Sequence, residues 1–356
     1  MQRAIVVAVE TRALHAAIDV ELDEFEALAR AAGAKIVERI VQRRDAVDAA
    51  TLVGSGKASE IAQRAEDEGA DLLLVLNDLR PRQRKNLEKI IPLPIVDRTM
   101  LILDVFARYA RSREGKLQVE LAQLRYRQSN LIGAAADLSR LGGGIGTRGP
   151  GESKLEVDRR RIAQRIAALN VALRNIRSQR ALRRSGPQRE PLVALVGYTN
   201  VGKSSLLNAL TRSDAYVADR PFATLDPTIR RAYLAPGSYV RVADTVGFIT
   251  DLPRELVTAF RATLEELQEA DLLLHVLDAS NAQWLRQRRA VEAILAQLEL
   301  DGVPSLTVFN KCDRAVAEAL GQNGALYVSA KTREGLDSLR AAIHQRVAAI
   351  NDEAKV

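Results

Sequence analysis

The sequence predicts an α/β protein: a domain with a mostly parallel sheet, preceded by a small α/β domain and a long antiparallel helical hairpin. Three observations carry this expectation. Strand-length apolar runs alternate with helix-like stretches over residues 1 to about 100 and again from 192 onward, the pattern of parallel strands joined by crossover helices. Between these regions, two series of leucine and isoleucine at helical spacing flank a segment with six glycines and a proline, Leu141 to Glu152. Finally, Gly197-Tyr198-Thr199-Asn200-Val201-Gly202-Lys203-Ser204-Ser205 follows the apolar run Leu192 to Val196 and precedes the helical pattern Ser205 to Leu210. That is Gly-x4-Gly-Lys-Ser, a P-loop, in its strand-to-helix setting.

The totals set bounds. A chain of 356 residues, 47% of them hydrophobic, is expected to form two or three globular domains. The single cysteine, Cys312, excludes an internal disulfide framework and a Cys-based metal cluster, and suits a reducing cytosol. His15, His275 and His344 lie far apart and read as ordinary surface or satisfied core histidines. The start, Met1 to Glu10, lacks a cleavage pattern and no stretch is long enough for a membrane span, so neither a signal peptide nor a spanning helix is expected. The net charge is +7, yet residues 111–190 hold 18 Lys/Arg against 7 Asp/Glu, so the remainder is net acidic. The basic character belongs to one segment.

In chain order, Ile5 to Val9, Lys35 to Val41 and Asp71 to Leu76 read as strands, and Glu21 to Ala32 and a stretch from Lys57 as helices. Gly54-Ser55-Gly56-Lys57 imitates a P-loop, but Thr51 stands where its first glycine belongs and Ala58 where a magnesium-binding hydroxyl belongs. A glycine turn starting a helix is the simpler reading. The apolar stretch Met100 to Phe106 continues into a helical run with Leu117, Leu121, Leu124 and Leu131 on one stripe, and Leu155, Ile162, Ile166, Leu169, Leu173 and Ile176 form a coiled-coil seam. These two helices should pair around a glycine-rich tip.

Tip and arms carry Arg140, Arg148, Lys154, Arg159, Arg160, Arg161 and Arg165. This concentration of charge beside exposed backbone N–H groups points to nucleic-acid phosphates. RNA is expected and DNA is not, because no groove-reading motif is present. Residues 184–191, broken by Gly186, Pro187 and Pro191, read as a linker. Four segments follow: an N-terminal α/β domain (1–110), a basic hairpin (111–183), the linker (184–191) and the P-loop domain (192–356).

The P-loop alone names only a nucleoside triphosphatase. Its glycines and N–H groups would wrap the phosphates, Lys203 would face the β/γ oxygens, and Ser204 would ligate Mg²⁺. Asn310-Lys311-Cys312-Asp313 follows the strand-like run Leu306 to Phe309, where the Asp313 carboxylate can accept both N1–H and N2–H₂ of guanine. Adenine lacks that donor pair. Ser329-Ala330-Lys331 can offer a backbone N–H to guanine O6. Asp244-Thr245-Val246-Gly247 places Asp244 near Mg²⁺ through water and the Gly247 N–H near the γ-phosphate. Phe222-Ala223-Thr224-Leu225-Asp226 supplies a phosphate-ordered switch; Thr224 is the preferred magnesium ligand and Thr228 the alternative. Lys203, Thr224 and Gly247 are the candidate catalytic groups.

The set GYTNVGKSS, FATLDPT, DTVGF, NKCD and SAK, preceded by the tip GGGIGTRGPGESKLE, resembles the HflX family of translation-factor-related GTPases over nearly the whole chain. The resemblance implies a P-loop GTPase that binds GTP and GDP with Mg²⁺, and an N-terminal region on the large ribosomal subunit with the hairpin reaching ribosomal RNA. It also implies that GTP-bound protein dissociates stalled or idle ribosomes. Asn200 resembles the P-loop asparagine of potassium-using GTPases; a loop asparagine satisfying backbone groups is the alternative. Phe248 stands where many GTPases place a water-orienting glutamine, so slow hydrolysis and ribosomal activation are expected. Some members carry a further carboxy-terminal domain, and this chain ends soon after the helical stretch Leu336 to Ile350. A monomer is expected, in the cytoplasm and in part on ribosomes or at a membrane. The rival readings are a ribosome-assembly GTPase and an RNA-binding module whose nucleotide is structural.

Overall fold

In the computed structural model, the backbone is described for residues 1–11, 18–141, 150–184, 190–211, 222, 228–250, 267 and 269–353, and side chains for these except 132–141, 150–155, 177, 180–184, 317, 351 and 353. The chain forms two compact units: Met1–Arg108 with Leu117–Arg174, and Tyr109–Lys116 with Asn175–Val356.

The first unit begins with β1 (Gln2–Glu10), α1 (Ile18–Ala32), β2 (Ala34–Arg43), α2 (Ser55–Asp67), β3 (Leu72–Val75), α3 (Pro81–Ile90), β4 (Ile95–Asp97) and α4 (Arg98–Tyr109). Its four strands are parallel, in the order β2-β1-β3-β4. Central strands of such sheets are covered on both faces and read as unbroken apolar runs. Hence β1 is buried from Ala4 to Glu10 and β3 throughout, with Ile61, Leu87 and Ile91 packing on Ile5, Val7, Leu73 and Val75. The P-loop imitation is a helix start: Gly54, at φ +85°, precedes α2, and Lys57 Nζ pairs with Glu60 at 2.7 Å.

The apolar stretch from Met100 divides where the sequence suggested one continuous run. Ser112 ends the gap between α4 and α5 (Arg113–Leu141) by capping the second helix: its hydroxyl accepts the Gly115 N–H at 2.8 Å and its carbonyl the Lys116 N–H at 3.1 Å. Helix α6 (Pro150–Arg184) returns against α5. Leu121, Leu169 and Leu173 are buried together, with Leu117, Leu124 and Ile166 against them. Each fully buried leucine is worth about 1.5–3 kcal/mol. The Arg165–Glu120 fork across the pair, at 2.7 and 2.9 Å, is exposed and adds about 0–1 kcal/mol, so the apolar seam holds the two arms.

A polar knot around the buried Asp97 joins α5 to the sheet domain. Arg84 donates to Asp97 Oδ2 at 2.6 Å and to Tyr126 Oη at 3.0 Å, while the Tyr126 hydroxyl donates to the same carboxylate oxygen at 2.5 Å. Burial, with the Asp97 charge beside it, pushes the Tyr126 phenol well above its ordinary range. Tyr126→Phe removes one partner from a buried carboxylate, and the expected cost is about 1–3 kcal/mol, read as a lower midpoint in urea unfolding.

The second unit contains β5 (Leu192–Gly197), α7 (Lys203–Thr211), β6 (Thr228–Ala235), β7 (Ser238–Asp244), β8 (Leu272–Asp278), α8 (Trp284–Gln297), β9 (Ser305–Asn310), β10 (Leu326–Tyr327) and α9 (Leu336–Glu353). The sheet order is β10-β9-β8-β5-β7-β6. Among the described residues β6 alone runs antiparallel to its neighbour, and the other strand pairs of this sheet are parallel. His275, in the middle of β8, is neither a surface nor a satisfied histidine: its Nε2 is buried with no hydrogen-bond partner, and desolvation pushes its pKa down to about 4. It is therefore a neutral core residue at ordinary pH. His344 bonds Ser238 through Nδ1 at 2.9 Å, and His15 lies outside the described residues. Among the described residues no helix is long and apolar enough to cross a membrane.

Candidate nucleotide-binding site

The site forms where β5, β7, β8 and β9 end. Strand β5 is central and wholly buried, so the loop leaving it starts from a fixed point, and α7 begins at Lys203 with its N–H groups directed back at that loop. Gly202 is required there. Its φ is +91°, and an added Cβ would meet Asn310 Nδ2 at 2.4 Å.

Lys203 is buried, and its Nζ donates to the carbonyls of Gly197 at 3.0 Å and Tyr198 at 2.8 Å. These bonds hold the ammonium at the centre of the loop. Desolvation lowers its pKa to about 8, with the Asp244 carboxylate opposing the fall, so a phosphate arriving beside it meets a poorly hydrated charge. Ser204 Oγ donates to Asp244 Oδ2 at 2.5 Å, and Asp244 is buried at the end of β7. A hydroxyl at a helix start and a carboxylate at a strand end are hard oxygen donors, the set that suits a magnesium ion completing its shell with phosphate and water. The residues present fit that ion.

Beyond Asp244, Thr245 donates to Leu195 O at 2.6 Å. Gly247 lies so close to the P-loop that an added Cβ would stand 2.8 Å from Thr199 Cα and 3.1 Å from Lys203 Nζ. The sequence-predicted phosphate sensor and phosphate lysine are thus neighbours. Phe248 is 2% exposed, its ring committed to the core.

At the far end of β9, Asn310 is buried and serves as a brace. Its Nδ2 donates to Val201 O at 2.9 Å and its Oδ1 accepts the Ala330 N–H at 3.0 Å. Lys311, at φ +63°, donates to Asn200 O at 2.9 Å and Asp278 Oδ2 at 2.6 Å. Two residues expected at the nucleotide therefore fasten the P-loop to the NKCD and SAK segments, and the Ala330 N–H expected at guanine O6 donates here to Asn310. The Ser329 hydroxyl, together with nearby main-chain donors and the positive charges of Arg314 and Lys331, holds the Asp313 carboxyl below the usual range. It stays ionised, as a receptor for two guanine N–H groups must.

Sequence reasoning missed Asp278, which accepts from Lys311 and also from the Ser280 N–H and hydroxyl at 2.9 and 2.6 Å. An acid closing the apolar run Leu272 to Leu277 was the available signal. It also missed Thr250, which meets Tyr198. Phe222 is buried at φ +57°, and Ala223, Thr224, Leu225 and Asp226 lie outside the described residues. Of the hairpin cations, Arg159, Arg160 and Arg161 are exposed; Arg148 and the side chains of Arg140 and Lys154 lie outside the described residues.

Comparisons with known proteins fit this geometry. Three family profiles match in succession: "GTP-binding GTPase N-terminal" over residues 19–107, "GTP-binding GTPase Middle Region" over 109–186 and "50S ribosome-binding GTPase" over 192–311. The GTPase HflX of Caldanaerobacter subterraneus subsp. tengcongensis is 49% identical over 92% of this chain and 77% of its own length. That of Escherichia coli K12 is 42% identical over 92% of this chain and 79% of its own. A crystal structure of SsGBP with GDP matches with a TM-score of 0.53 at 24% identity, over 97% of this chain and 98% of that one, a likeness of fold. With guanine-nucleotide motifs gathered at one edge of a P-loop sheet, and with such relatives along nine-tenths of its length, this chain belongs to the HflX family of GTPases, enzymes that hydrolyse GTP to GDP and phosphate.

Proposed function

We propose that this GTPase binds the large ribosomal subunit and its ribosomal RNA through the basic hairpin, dissociates stalled or idle ribosomes in its GTP-bound form, and leaves after hydrolysis. The observation that carries the reading is the run of three exposed arginines, Arg159 to Arg161, on a helix of the same chain as the nucleotide site. A polyanion is their natural partner. The profile matched by residues 192–311 is described as that of a 50S ribosome-binding GTPase, which supports the choice of polyanion.

In this reading Asp313 selects guanine, Lys203 neutralises the β/γ-phosphates, and the Gly247 N–H reports the γ-phosphate. Magnesium would be held by Ser204, by Thr224 and through water by Asp244, and would offset the charge of the β- and γ-oxygens. Thr228 is the alternative to Thr224. Because Phe248 is buried, no side chain at that position can orient water, so the isolated enzyme hydrolyses slowly. Single-turnover GTP hydrolysis with purified large subunits tests this: a rise of at least about tenfold is expected. An unchanged rate would favour a nucleotide that only stabilises the fold.

Asn200 supports a further element, a potassium ion beside the phosphates acting as an arginine finger does. Hydrolysis is then expected to be at least several-fold faster in potassium than in sodium at matched ionic strength. Equal rates would leave Asn200 as a loop residue.

A further inference from the structure

Tyr198 occupies the second position of the P-loop, a place where a side chain has no evident business with phosphates. Its ring is 4% exposed, and it points away into a contact the sequence did not announce. The phenol oxygen accepts the main-chain N–H of Thr250 at 2.8 Å and shares a second hydrogen bond with Thr250 Oγ1, also at 2.8 Å. Two main-chain bonds flank it: Phe248 N–H to Gly197 O at 3.1 Å, and Thr199 N–H to Phe248 O at 2.8 Å. Together they form a short parallel bridge between Tyr198 and Phe248.

The chain from Gly247 to Thr250 is therefore stitched to the phosphate loop at both ends of Phe248. The main-chain bonds alone fix residue 248. The Tyr198 phenol carries the attachment two residues further, to Thr250. Gly247, one residue before the stitch, lies against Thr199 and Lys203. Its N–H lies in the Val246–Gly247 peptide plane, which joins through the Gly247 Cα to the plane that carries the bonded Phe248 N–H.

We propose that Tyr198 is a positioning residue for hydrolysis: its phenol clasps Thr250 and so holds the Gly247 N–H and the backbone around Phe248 in register with the γ-phosphate. An enzyme with an apolar side chain in place of the usual glutamine has its backbone and whatever that backbone orients as the remaining means of placing water. A loosened segment lowers the fraction of bound GTP in a reactive arrangement. Nucleotide binding, which rests on Lys203, the loop N–H groups and Asp313, is set by other bonds. The inference rests on GTP hydrolysis by this family and not on ribosome separation.

The test uses the full chain with Tyr198→Phe and Thr250→Val, measuring GTP turnover and the affinity for a fluorescent GDP and a non-hydrolysable GTP analogue. Tyr198→Phe keeps the buried ring and removes both bonds to Thr250, whereas Thr250→Val removes one. The expected result is a fall in kcat of about tenfold for Tyr198→Phe and a smaller one for Thr250→Val, with both affinities within about twofold of the parent. The double variant should be no slower than Tyr198→Phe alone, because the bonds are shared. Unchanged kcat in Tyr198→Phe overturns the proposal. So does a loss of affinity that matches the loss of rate, which would make Tyr198 a structural part of the nucleotide site. If the parent protein itself fails to turn over GTP, the GTPase assignment fails instead, so the two failures are distinct.

Discussion

Asp313→Asn is expected to lower GTP affinity by about three to four orders of magnitude and to bring xanthosine triphosphate to comparable or tighter binding. The Ser329 hydroxyl holds the Asp313 carboxyl below the usual carboxylate range, which favours the ionised form at neutral pH, and an ionised carboxylate only accepts hydrogen bonds. Guanine presents two donors side by side. An amide in the same place turns an NH₂ towards one of those donors, so an attractive pair becomes a mismatch that no water can relieve, and sites built on such pairs discriminate by about 10⁴–10⁵. Xanthine carries an oxygen where guanine has its exocyclic amine, which restores the match. Competition of GTP, ATP and xanthosine triphosphate against a fluorescent GDP reads the switch. Retained guanine preference in the variant would remove Asp313 from the base-recognition role.

Replacing Arg159, Arg160 and Arg161 together by alanine is expected to weaken binding to large subunits by about 10–100-fold at moderate salt. The dependence of log K on log[salt] should flatten by about 0.7–0.9 for each phosphate that is no longer neutralised. GTP affinity of the free protein should be unchanged, because the three side chains are exposed on α6 and the seam that pairs α6 with α5 is formed by other residues. Alanine also favours helix, so a weakened arm would not explain weaker binding. Filter binding or sedimentation across a salt series measures both quantities. An unchanged slope would place the ribosomal interaction elsewhere.

What the sequence made legible follows from burial. Strands β1, β3, β5 and β8 are covered on both faces, so their apolar runs announced them, and the P-loop was plain because glycine spacing and a following helix are local features. Strand β6 was missed because it is an edge. Its Thr-Ile-Arg-Arg-Ala-Tyr-Leu-Ala buries Ala232 and Leu234 while Arg231 and Tyr233 are exposed, so no apolar run marks it. Helix α3 was missed because only Gln83 and Leu87 of its ten residues are buried, and β4 because it has three residues. The break before α5 was written in Ser112, whose capping role emerges only when the chain turns.

At the site, residue types were legible and their directions were not. Spacing identified Asn310 and Lys311 but could not show that both side chains reach back to P-loop carbonyls, since that depends on β9 lying two strands from β5 across β8. The Tyr198–Thr250 pair spans 52 residues and has no spacing rule. Phe248 shows the opposite case. Its apolar character in the sequence predicted the missing glutamine, and its burial supplies the physical reason that no side chain there serves water.

Ribosome dissociation by the GTP-bound protein is best tested by sedimentation of intact ribosomes after incubation with the protein and a non-hydrolysable GTP analogue. Separate subunits are expected, with the protein travelling on the large one, and no separation with GDP. Ribosomes that remain joined while the GTP-bound protein sits on them would contradict the proposed function.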